Sequence, residues 1–324
     1  MIRGDLIIVA ILITGGTGFI GSFLARELVN TVEEEIILFD YFINQKRITD
    51  IKDEVNIVQG DISNSSEVFS LVKKNKISCI YHFGSLMPPF TEQRLEAAFR
   101  INIGGTLNIL EAASIFNVSK VIYSSSGAVY GPGVELPVTE KTYRDPWTMY
   151  GAGKACSEIL GTLYYRRKDV NFISVRFPAL IGPGRVGSGM TMYANNIIQY
   201  PSQNCQAVAN VEPDVTVPML YIKDATLLLT KLLEMEKFSE QAYNLDGFWI
   251  SAEELASIVR KELPDAKITF EPDYQLSFQL KSWSLLKGDD SLVRKDLNFS
   301  PSFSQEMFVR DFIKEVQEND FYKI

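Results

Sequence analysis

The sequence has few of the features that mark a secreted or nucleic-acid-binding protein. Its 324 residues include only three cysteines, Cys79, Cys156 and Cys205, which lie far apart and form no Cys-x-x-Cys pair. A sparse, odd set of cysteines is typical of a reducing compartment, so we expect a cytoplasmic protein. Basic residues are in the minority, 32 against 40 acidic ones, and the formal net charge is −8. This balance disfavours a general nucleic-acid binder, which needs a basic surface.

A long hydrophobic run is also missing. The apolar segment Leu6–Ile13 is much shorter than the roughly 20 residues that a transmembrane helix needs. It leads directly into Gly15 and Gly16, with no small-residue cleavage site of the kind that follows a secretory signal. A buried parallel strand has the same unbroken apolar pattern. We therefore expect a strand here and no membrane association.

The first half of the sequence alternates apolar strand-like runs with helical patterns. Helices are predicted over Phe19–Leu28, whose apolar residues share one face, and over Leu95–Phe116. This alternation predicts right-handed βαβ crossovers and a parallel sheet. The predicted strands are Leu6–Thr14, Ile36–Phe39, Val55–Val58, Cys79–Phe83, Val121–Ser124 and Phe172–Arg176.

The alternation ends near Pro178, where residues 181–189 are rich in glycine and proline and predict a loop. We therefore predict a doubly wound α/β domain of the Rossmann type over residues 1–178. A smaller α/β substrate domain would consist mainly of residues 179–324. Its predicted elements are helices at Met192–Gln199, Lys223–Met235, Ala252–Lys261 and Gln305–Val316, a strand at Ile268–Phe270, and a strand at Ala242–Leu245 that returns to the large sheet.

A glycine motif lies where the first strand meets the first helix. Gly15, Gly18 and Gly21 would turn the chain, admit a pyrophosphate and let the helix pack on the strand. The helix N-terminus would offer free N–H groups to phosphates. An ordinary strand–helix turn is the alternative. Asp40, roughly 20 residues further along, favours a dinucleotide because an acidic side chain there accepts hydrogen bonds from ribose hydroxyls.

The same aspartate predicts which dinucleotide binds. A carboxylate at Asp40 would repel the 2′-phosphate of NADP, whereas an arginine would attract it. Lys46 and Arg47 follow closely in the sequence and keep NADP open as an alternative. We predict NAD.

A catalytic group is indicated by Tyr150 and Lys154. Asp145 and Pro146 resemble an N-cap and a first helical residue, which places the pair on one helix, where residues four apart share a face. The Lys154 ammonium should lower the pKa of Tyr150 from about 10, so that the tyrosine can exchange a proton during a hydride transfer. Ser126, the last of three serines after a predicted strand, would hydrogen-bond the reacting oxygen. Taken alone, Tyr150 and Lys154 could equally lie on a solvated helix face, and Ser126 could be an ordinary polar residue of a loop.

This combination resembles the extended short-chain dehydrogenase/reductase family, the NAD-dependent epimerase/dehydratase group. The resemblance covers nearly the whole chain and includes the segments Gly60–Ile62, His82–Ser85, Asn102–Thr106, Ser124–Gly131 and Arg176–Pro178. It implies that Ser126, Tyr150 and Lys154 are catalytic, that His82 is a packed strand-end residue, that no metal is needed, and that the protein is a homodimer. The cofactor contacts that it implies are Gly15, Thr17, Gly18, Phe19, Ile20, Gly21, Asp40, Asp61, Ile62, Phe83, Gly84, Ser85, Asn102, Ser124, Tyr150, Lys154, Phe177 and Pro178.

Two departures separate the sequence from sugar-nucleotide enzymes of this family. Val217–Ala225 lacks the arginine that those enzymes use for a diphosphate, and Ala179 and Leu180 follow Pro178 where those enzymes have an asparagine. The segment Pro218–Ala225 instead resembles the L-threonine dehydrogenase branch. The resemblance therefore favours hydride transfer from a secondary alcohol to NAD.

Three residues differ from that branch in turn. Met190 and Met192 replace polar residues that contact the amino-acid substrate there, and Pro88 replaces a serine. Because an unpaired charge in an apolar pocket is costly, we expect an altered, less polar pocket for a small-molecule substrate. A sugar-nucleotide epimerase or dehydratase of the UDP-glucose 4-epimerase type, and a non-catalytic dinucleotide-binding protein, remain alternatives.

Overall fold

The computed structural model describes residues 9–187, 189–283 and 287–324. The strands are β1 (Ala10–Thr14), β2 (Glu35–Asp40), β3 (Asn56–Gln59), β4 (Ile77–His82), β5 (Lys120–Ser126), β6 (Phe172–Phe177), β7 (Ala179–Ile181), β8 (Ala207–Ala209), β9 (Thr216–Tyr221), β10 (Ala242–Asn244), β11 (Phe248–Ser251) and β12 (Ile268–Phe270). The helices are α1 (Phe19–Val29), α2 (Ser65–Asn75), α3 (Phe90–Gln93), α4 (Leu95–Ala98), α5 (Gly105–Ile115), α6 (Met149–Lys168), α7 (Met192–Ser202), α8 (Ile222–Glu234), α9 (Ala252–Glu262), α10 (Tyr274–Trp283), α11 (Ser291–Leu297) and α12 (Gln305–Glu318).

A parallel sheet of seven strands, in the order β10-β6-β5-β4-β1-β2-β3, forms the centre of the molecule. In β1, Ile11 and Ile13 pack into one apolar cluster, and Ala10 and Leu12 pack into the cluster on the opposite face. Burial on both faces explains why this strand has no polar alternation in the sequence. The predicted start of the strand, Leu6–Ile8, lies outside the described residues.

Helices cover both faces of this sheet. Side chains of α1 and α8 belong to the cluster on one face, and those of α2 and α5 to the cluster on the other. Such a doubly wound arrangement places the carboxyl ends of the parallel strands at one edge, where ligands bind. The predicted fold class is confirmed, and β10 pairs in parallel with β6, as the sequence predicted.

The remaining strands form two small sheets, β11-β9-β7 and β12-β8. They pack with α7, α9, α10 and α12 against the same main apolar cluster that lines one face of the large sheet. The division of the chain at residue 178 stays a prediction. No helix in the described ranges is both long and apolar enough to cross a membrane.

Two predicted helices differ from the structure. The predicted helix Leu95–Phe116 is divided into α4, a π-helical stretch at Phe99–Gly104, and α5. The predicted N-cap at Asp145 is wrong, because α6 begins at Met149 and its cap is Thr148, whose Oγ1 accepts a hydrogen bond from the Gly151 N–H at 3.0 Å. Both predictions of helical structure hold, but their bounds depend on contacts with distant residues.

A buried ion pair fastens α6 to the sheet. Nε and Nη2 of Arg176, on β6, donate to the two carboxylate oxygens of Glu158 at 2.9 and 2.7 Å, and both side chains are 2% exposed. Ser125, on β5, donates to the same carboxylate at 2.5 Å. The Arg176 guanidinium also reaches Asn244, on β10, at 3.3 Å. This cluster therefore joins one helix to three adjacent strands.

Replacing Glu158 by glutamine should destabilise the protein strongly, because Arg176 would be left buried without its counter-charge. We expect the free energy of unfolding to fall by about 3–5 kcal/mol, measured by denaturant titration. The matched control is Glu318→Gln, which removes an exposed pair with Lys314 and should cost less than about 1 kcal/mol. Equal effects of the two substitutions would contradict a structural role for the buried pair.

Candidate active site

The glycine motif forms a tight cradle between β1 and α1. Gly15 has a φ of +66°, and a Cβ built on it would lie 2.9 Å from the backbone N of Gly84. A Cβ on Gly21 would lie 2.3 Å from the carbonyl oxygen of Gly15. Gly18 is the N-cap of α1 and provides no side-chain cap, so N–H groups of the first turn remain available to a phosphate. The cradle fits a dinucleotide pyrophosphate.

Asp40 lies at the carboxyl end of β2, as predicted, and faces the cradle. Its Oδ2 accepts hydrogen bonds from the backbone N–H of Thr17 at 3.1 Å and from the Thr17 hydroxyl at 2.9 Å. Burial raises the pKa of this carboxyl, and the hydrogen bonds from Thr17 oppose the shift. The carboxylate is thus held in place at the position where a ribose is expected.

The two nearby cations are engaged elsewhere. Lys46 Nζ donates to the backbone oxygen of Lys323 at 2.7 Å, and Arg47 Nη2 donates to that of Gly184 at 2.5 Å. Among the described residues, neither side chain forms a hydrogen bond or an ion pair with Asp40, although the charge of Asp40 raises the pKa of Arg47 against the effect of burial.

Two of the predicted cofactor contacts, Asp61 and Ile62, follow β3. Asp61 is partly exposed, and its Oδ1 accepts hydrogen bonds from the N–H and hydroxyl of Ser63 at 2.8 and 2.7 Å. Ile62 is buried, and its side chain lies against Gly105 and Gly84. Ile62 therefore borders the glycine cradle through Gly84, and Asp61 precedes it in the loop between β3 and α2.

The loop after β4 is held by hydrogen bonds to its neighbours. The N–H of Phe83 donates to the Thr14 carbonyl at 3.1 Å, and that of Gly84 to the Thr14 hydroxyl at 3.1 Å. The Asn102 amide both accepts from the N–H of Leu86 at 2.7 Å and donates to its carbonyl at 3.0 Å. Asn102 thus fixes the loop that carries Phe83, Gly84 and Ser85.

His82 is buried at the end of β4, as a packed residue. Its Nδ1 lies 2.7 Å from Thr14 Oγ1, and its Nε2 lies 3.1 Å from Thr106 Oγ1. Burial, and secondarily the charge of Lys154, lowers the pKa of His82 to about 3. The imidazole is therefore neutral at physiological pH and structural.

Ser126, Tyr150 and Lys154 meet at the carboxyl end of β5. Ser126 lies close enough to Tyr150 for its side chain to lower the pKa of the tyrosine hydroxyl. Lys154 is 2% exposed, and its Nζ donates to the carbonyl oxygen of Ser124 at 2.5 Å and lies 5.5 Å from the ring centroid of Tyr150. Phe177, opposite Ser126 in the β5–β6 register, and Pro178 border this group.

The predicted lowering of the Tyr150 pKa by Lys154 is wrong. Burial raises the pKa of Tyr150 to about 12, and the opposing effects come from the Ser126 side chain and the positive charge of Arg185. Lys154 directs its ammonium to a backbone carbonyl, and burial lowers its own pKa to about 7, although the nearby charge of Glu158 raises it. The tyrosine is therefore protonated at neutral pH and can act as a hydrogen-bond donor.

Three functional residues were missed by the sequence analysis. Glu92 accepts hydrogen bonds from the N–H groups of residues 149 and 150, at 3.0 and 3.1 Å, and so anchors the start of α6. Glu158 follows Tyr150 and Lys154 at the same four-residue spacing, a signal that the sequence did contain. Arg185 lies in a segment that was interpreted only as a loop, where a single cation among glycines and a proline was the available signal.

Met190 and Met192 have different surroundings. Met190 packs against the main apolar cluster, which is a structural contact. Met192 begins α7, and its Cγ lies 3.8 Å from the position of a Cβ built on Gly189, next to Arg185. Pro88 lies in the loop between β4 and α3 and offers no hydroxyl group. The altered pocket remains a prediction.

Comparison with known proteins agrees with this geometry. A model of the NAD-dependent epimerase/dehydratase family matches residues 11–246. The mitochondrial L-threonine 3-dehydrogenase of Bos taurus is 29% identical over 297 residues, which are 90% of this chain and 79% of the relative. The structure of a GalE-like L-threonine dehydrogenase from Cupriavidus necator, in its holo form, has a TM-score of 0.85 at 26% identity and covers 95% of this chain and 99% of that one.

A UDP-glucose 4-epimerase of Thermus thermophilus, in complex with NAD, shares the fold. Its TM-score is 0.80 at 20% identity, over 95% of this chain and 99% of that one. The family match, together with the glycine cradle and the group at Ser126, Tyr150 and Lys154, leads to one conclusion. The chain belongs to the NAD-dependent epimerase/dehydratase family of extended short-chain dehydrogenases/reductases, and it is an enzyme that uses NAD.

Proposed function

We propose that this enzyme is a dehydrogenase that oxidises a secondary alcohol of the L-threonine type, in a pocket that differs from that of its relatives. The observation that carries the proposal is that Ser126, at the end of β5, lies close enough to Tyr150 to lower the pKa of the tyrosine, next to the buried Lys154. Two hydroxyl groups that meet beside a buried lysine can bind one substrate oxygen from two sides. This arrangement suits the interconversion of an alcohol and a carbonyl group.

Each of the three residues has a distinct role in the proposal. Ser126 orients the substrate oxygen, and Tyr150 takes the hydroxyl proton as the carbonyl forms. Lys154, buried and held by the Ser124 carbonyl, would bind the ribose next to the reacting carbon. NAD, when bound, accepts the hydride of the carbinol carbon, so that the two electrons and the proton of the oxidation are all accounted for.

We infer that NAD is held by the predicted residues at the carboxyl edge of the sheet. The cradle at Gly15, Gly18 and Gly21 supports a pyrophosphate site, and Asp40 supports a ribose site. The other proposed contacts are Thr17, Phe19, Ile20, Asp61, Ile62, Phe83, Gly84, Ser85, Ser124, Phe177 and Pro178, with Asn102 acting through the loop that it holds.

We further propose a homodimer formed through the helices of the NAD-binding half. Apolar side chains are exposed on one surface of α4, α5, α6 and the π-helical stretch, namely Leu95, Phe99, Leu107, Ile159 and Leu163. Since α5 and α6 pack side by side, a second copy of this chain could cover this surface with the same surface of its own.

Substitution of Asp40 tests the cofactor site. Asp40→Ala should weaken NAD binding about 10- to 100-fold, because hydrogen bonds from ribose hydroxyls to a charged acceptor are lost, and should narrow the preference for NAD over NADP. Titration of both cofactors measures the effect, with Glu35→Ala at the exposed start of the same strand as control. Equal affinity of the unchanged protein for NAD and NADP would refute the role of Asp40.

Replacement of Tyr150 tests the proton transfer. Tyr150→Phe should lower kcat by about 100- to 10,000-fold and leave NAD binding intact, because only the acid–base hydroxyl is removed. Tyr165→Phe, on the exposed side of the same helix, is the control. Retention of most of the rate in Tyr150→Phe would contradict the mechanism. If the unchanged protein forms product without net NADH, it is an epimerase.

The raised pKa of Tyr150 predicts different pH profiles for the two directions between pH 8 and pH 10, above the pKa of Lys154 and below that of Tyr150. Oxidation needs the deprotonated tyrosine, so its kcat/KM should rise about tenfold per pH unit in this range. Reduction needs the protonated form, which dominates in this range, so its kcat/KM should stay flat. An oxidation rate independent of pH would show that another group takes the proton.

The dimer is tested by analytical ultracentrifugation. Phe99→Arg or Leu163→Arg should convert a dimer into a monomer, because each introduces a charge into the apolar surface. Phe278→Arg, exposed on α10, should leave the dimer unchanged. A monomeric unchanged protein at micromolar concentration would disprove this interface.

A further inference from the structure

Arg185 is a cation beside the catalytic tyrosine whose hydrogen-bond partners are all neutral. Nη1 donates to the carbonyl oxygen of Leu180 at 2.9 Å, and Nη1 and Nη2 each lie 3.4 Å from Thr191 Oγ1. Within residues 9–187, 189–283 and 287–324, no carboxylate lies within 4.0 Å of this guanidinium. Because a guanidinium has five N–H donors, some remain for a ligand.

The arginine of the neighbouring buried ion pair is partnered in a different way. Arg176 has both oxygens of Glu158 as partners. Arg185 is half-buried, and burial lowers its pKa only to about 10, so that it remains charged at neutral pH. A charge that is withdrawn from water without a counter-charge is costly, which favours an anionic ligand at this position.

The segment that carries Arg185 is rigidly supported. The N–H of Gly182 donates to Asn195 Oδ1 at 3.1 Å, and that of Gly184 donates to Gln199 Oε1 at 2.9 Å; both amide side chains are fully buried. The Gly184 carbonyl accepts a hydrogen bond from Arg47. The guanidinium is therefore held in place before any ligand binds, as a binding group should be.

Arg185 lies on the side of the sheet where Ser126 ends β5: its hydrogen-bond partner Leu180 comes three residues after Phe177, which is the register partner of Ser126. Arg185 and Tyr150 interact electrostatically, and this interaction lowers the pKa of the tyrosine hydroxyl against the effect of burial. Arg185 Nη2 lies 3.9 Å, and Met192 Cγ 3.8 Å, from the position of a Cβ built on Gly189. A cation and a thioether thus border the same point.

We propose that Arg185 binds a carboxylate of the substrate, so that the alcohol oxidised beside Tyr150 belongs to a hydroxy acid. This inference rests on the proposed dehydrogenase function. A single guanidinium matches the single negative charge of a carboxylate and can bind it through paired N–H···O bonds. A phosphate group, in contrast, carries a charge of about −2. Because the Met192 thioether is uncharged and only a weak hydrogen-bond acceptor, it should bind an amino group on the substrate weakly, and that group should bring no advantage.

Four alcohols separate the two substituents. L-threonine carries an ammonium and a carboxylate, L-threoninamide only the ammonium, 3-hydroxybutyrate only the carboxylate, and 3-hydroxybutyramide neither. With the unchanged protein, each carboxylate should have a kcat/KM about 10- to 100-fold above that of its amide. Removal of the amino group should not lower kcat/KM. Equal values for acids and amides would overturn the proposal.

Variants of Arg185 identify the group responsible. Arg185→Gln should abolish the ratio of kcat/KM for acids over amides, and Arg185→Lys should keep part of this ratio. The ratio is the readout, because loss of the Arg185 charge also raises the pKa of Tyr150 for every substrate. Arg310→Gln, which removes an exposed arginine of α12 that pairs with Glu262, controls for the loss of one positive charge. An equal loss for acids and amides in both Arg185 variants would show that Arg185 is structural.

A binding measurement tests the carboxylate site at Arg185 independently of the proposed dehydrogenase function. Calorimetric titration of butyrate, butyramide and inorganic phosphate into the complex with NADH requires no turnover. Butyrate should bind to the unchanged protein and not to Arg185→Gln, and butyramide to neither. Arg185-dependent butyrate binding without oxidation of any alcohol would refute only the dehydrogenase function. Oxidation of neutral alcohols without butyrate binding, or tighter binding of phosphate than of butyrate, would refute the carboxylate site.

Discussion

The ion pair between Glu158 and Arg176 is the interaction on which the geometry of the active site depends. It is fully withdrawn from water, and its carboxylate is shared with Ser125, so three hydrogen bonds converge on one side chain. Glu158 lies two helical steps of four residues beyond Tyr150, on the same face of α6. By fastening this face to β5 and β6, the pair sets the distance between the tyrosine and Ser126, which ends β5.

The rest of the site is built on the same edge of the sheet. Glu92 fixes the start of α6, and Lys154 fixes its second turn through the Ser124 carbonyl. The catalytic helix is thus held at three levels, and each anchor comes from a different part of the chain. This construction explains how a helix that begins in an irregular segment can position Tyr150, the proposed proton-transferring residue, with the accuracy that catalysis requires.

The sequence predicted the parts of the site that depend on local spacing. Gly15, Asp40, Tyr150 and Lys154 could be proposed as site residues because a turn, a strand end and a helix face each leave a short-range pattern. Arg185 and Glu92 were missed because their partners are distant in the sequence. The sign of the Tyr150 pKa shift was wrong for a related reason: it is decided by burial, which a four-residue spacing does not report.

The central proposal is that the carbinol hydrogen of a substrate is transferred to NAD at the group formed by Ser126 and Tyr150. The most direct measurement follows a deuterium label placed on the carbinol carbon of 3-hydroxybutyrate or L-threonine, with mass spectrometry of the free nucleotide and of the organic product. The account predicts reduced NAD that carries the deuterium and a ketone product without it. Deuterium that returns to the organic product with no release of reduced NAD, or that never leaves the substrate, would contradict it.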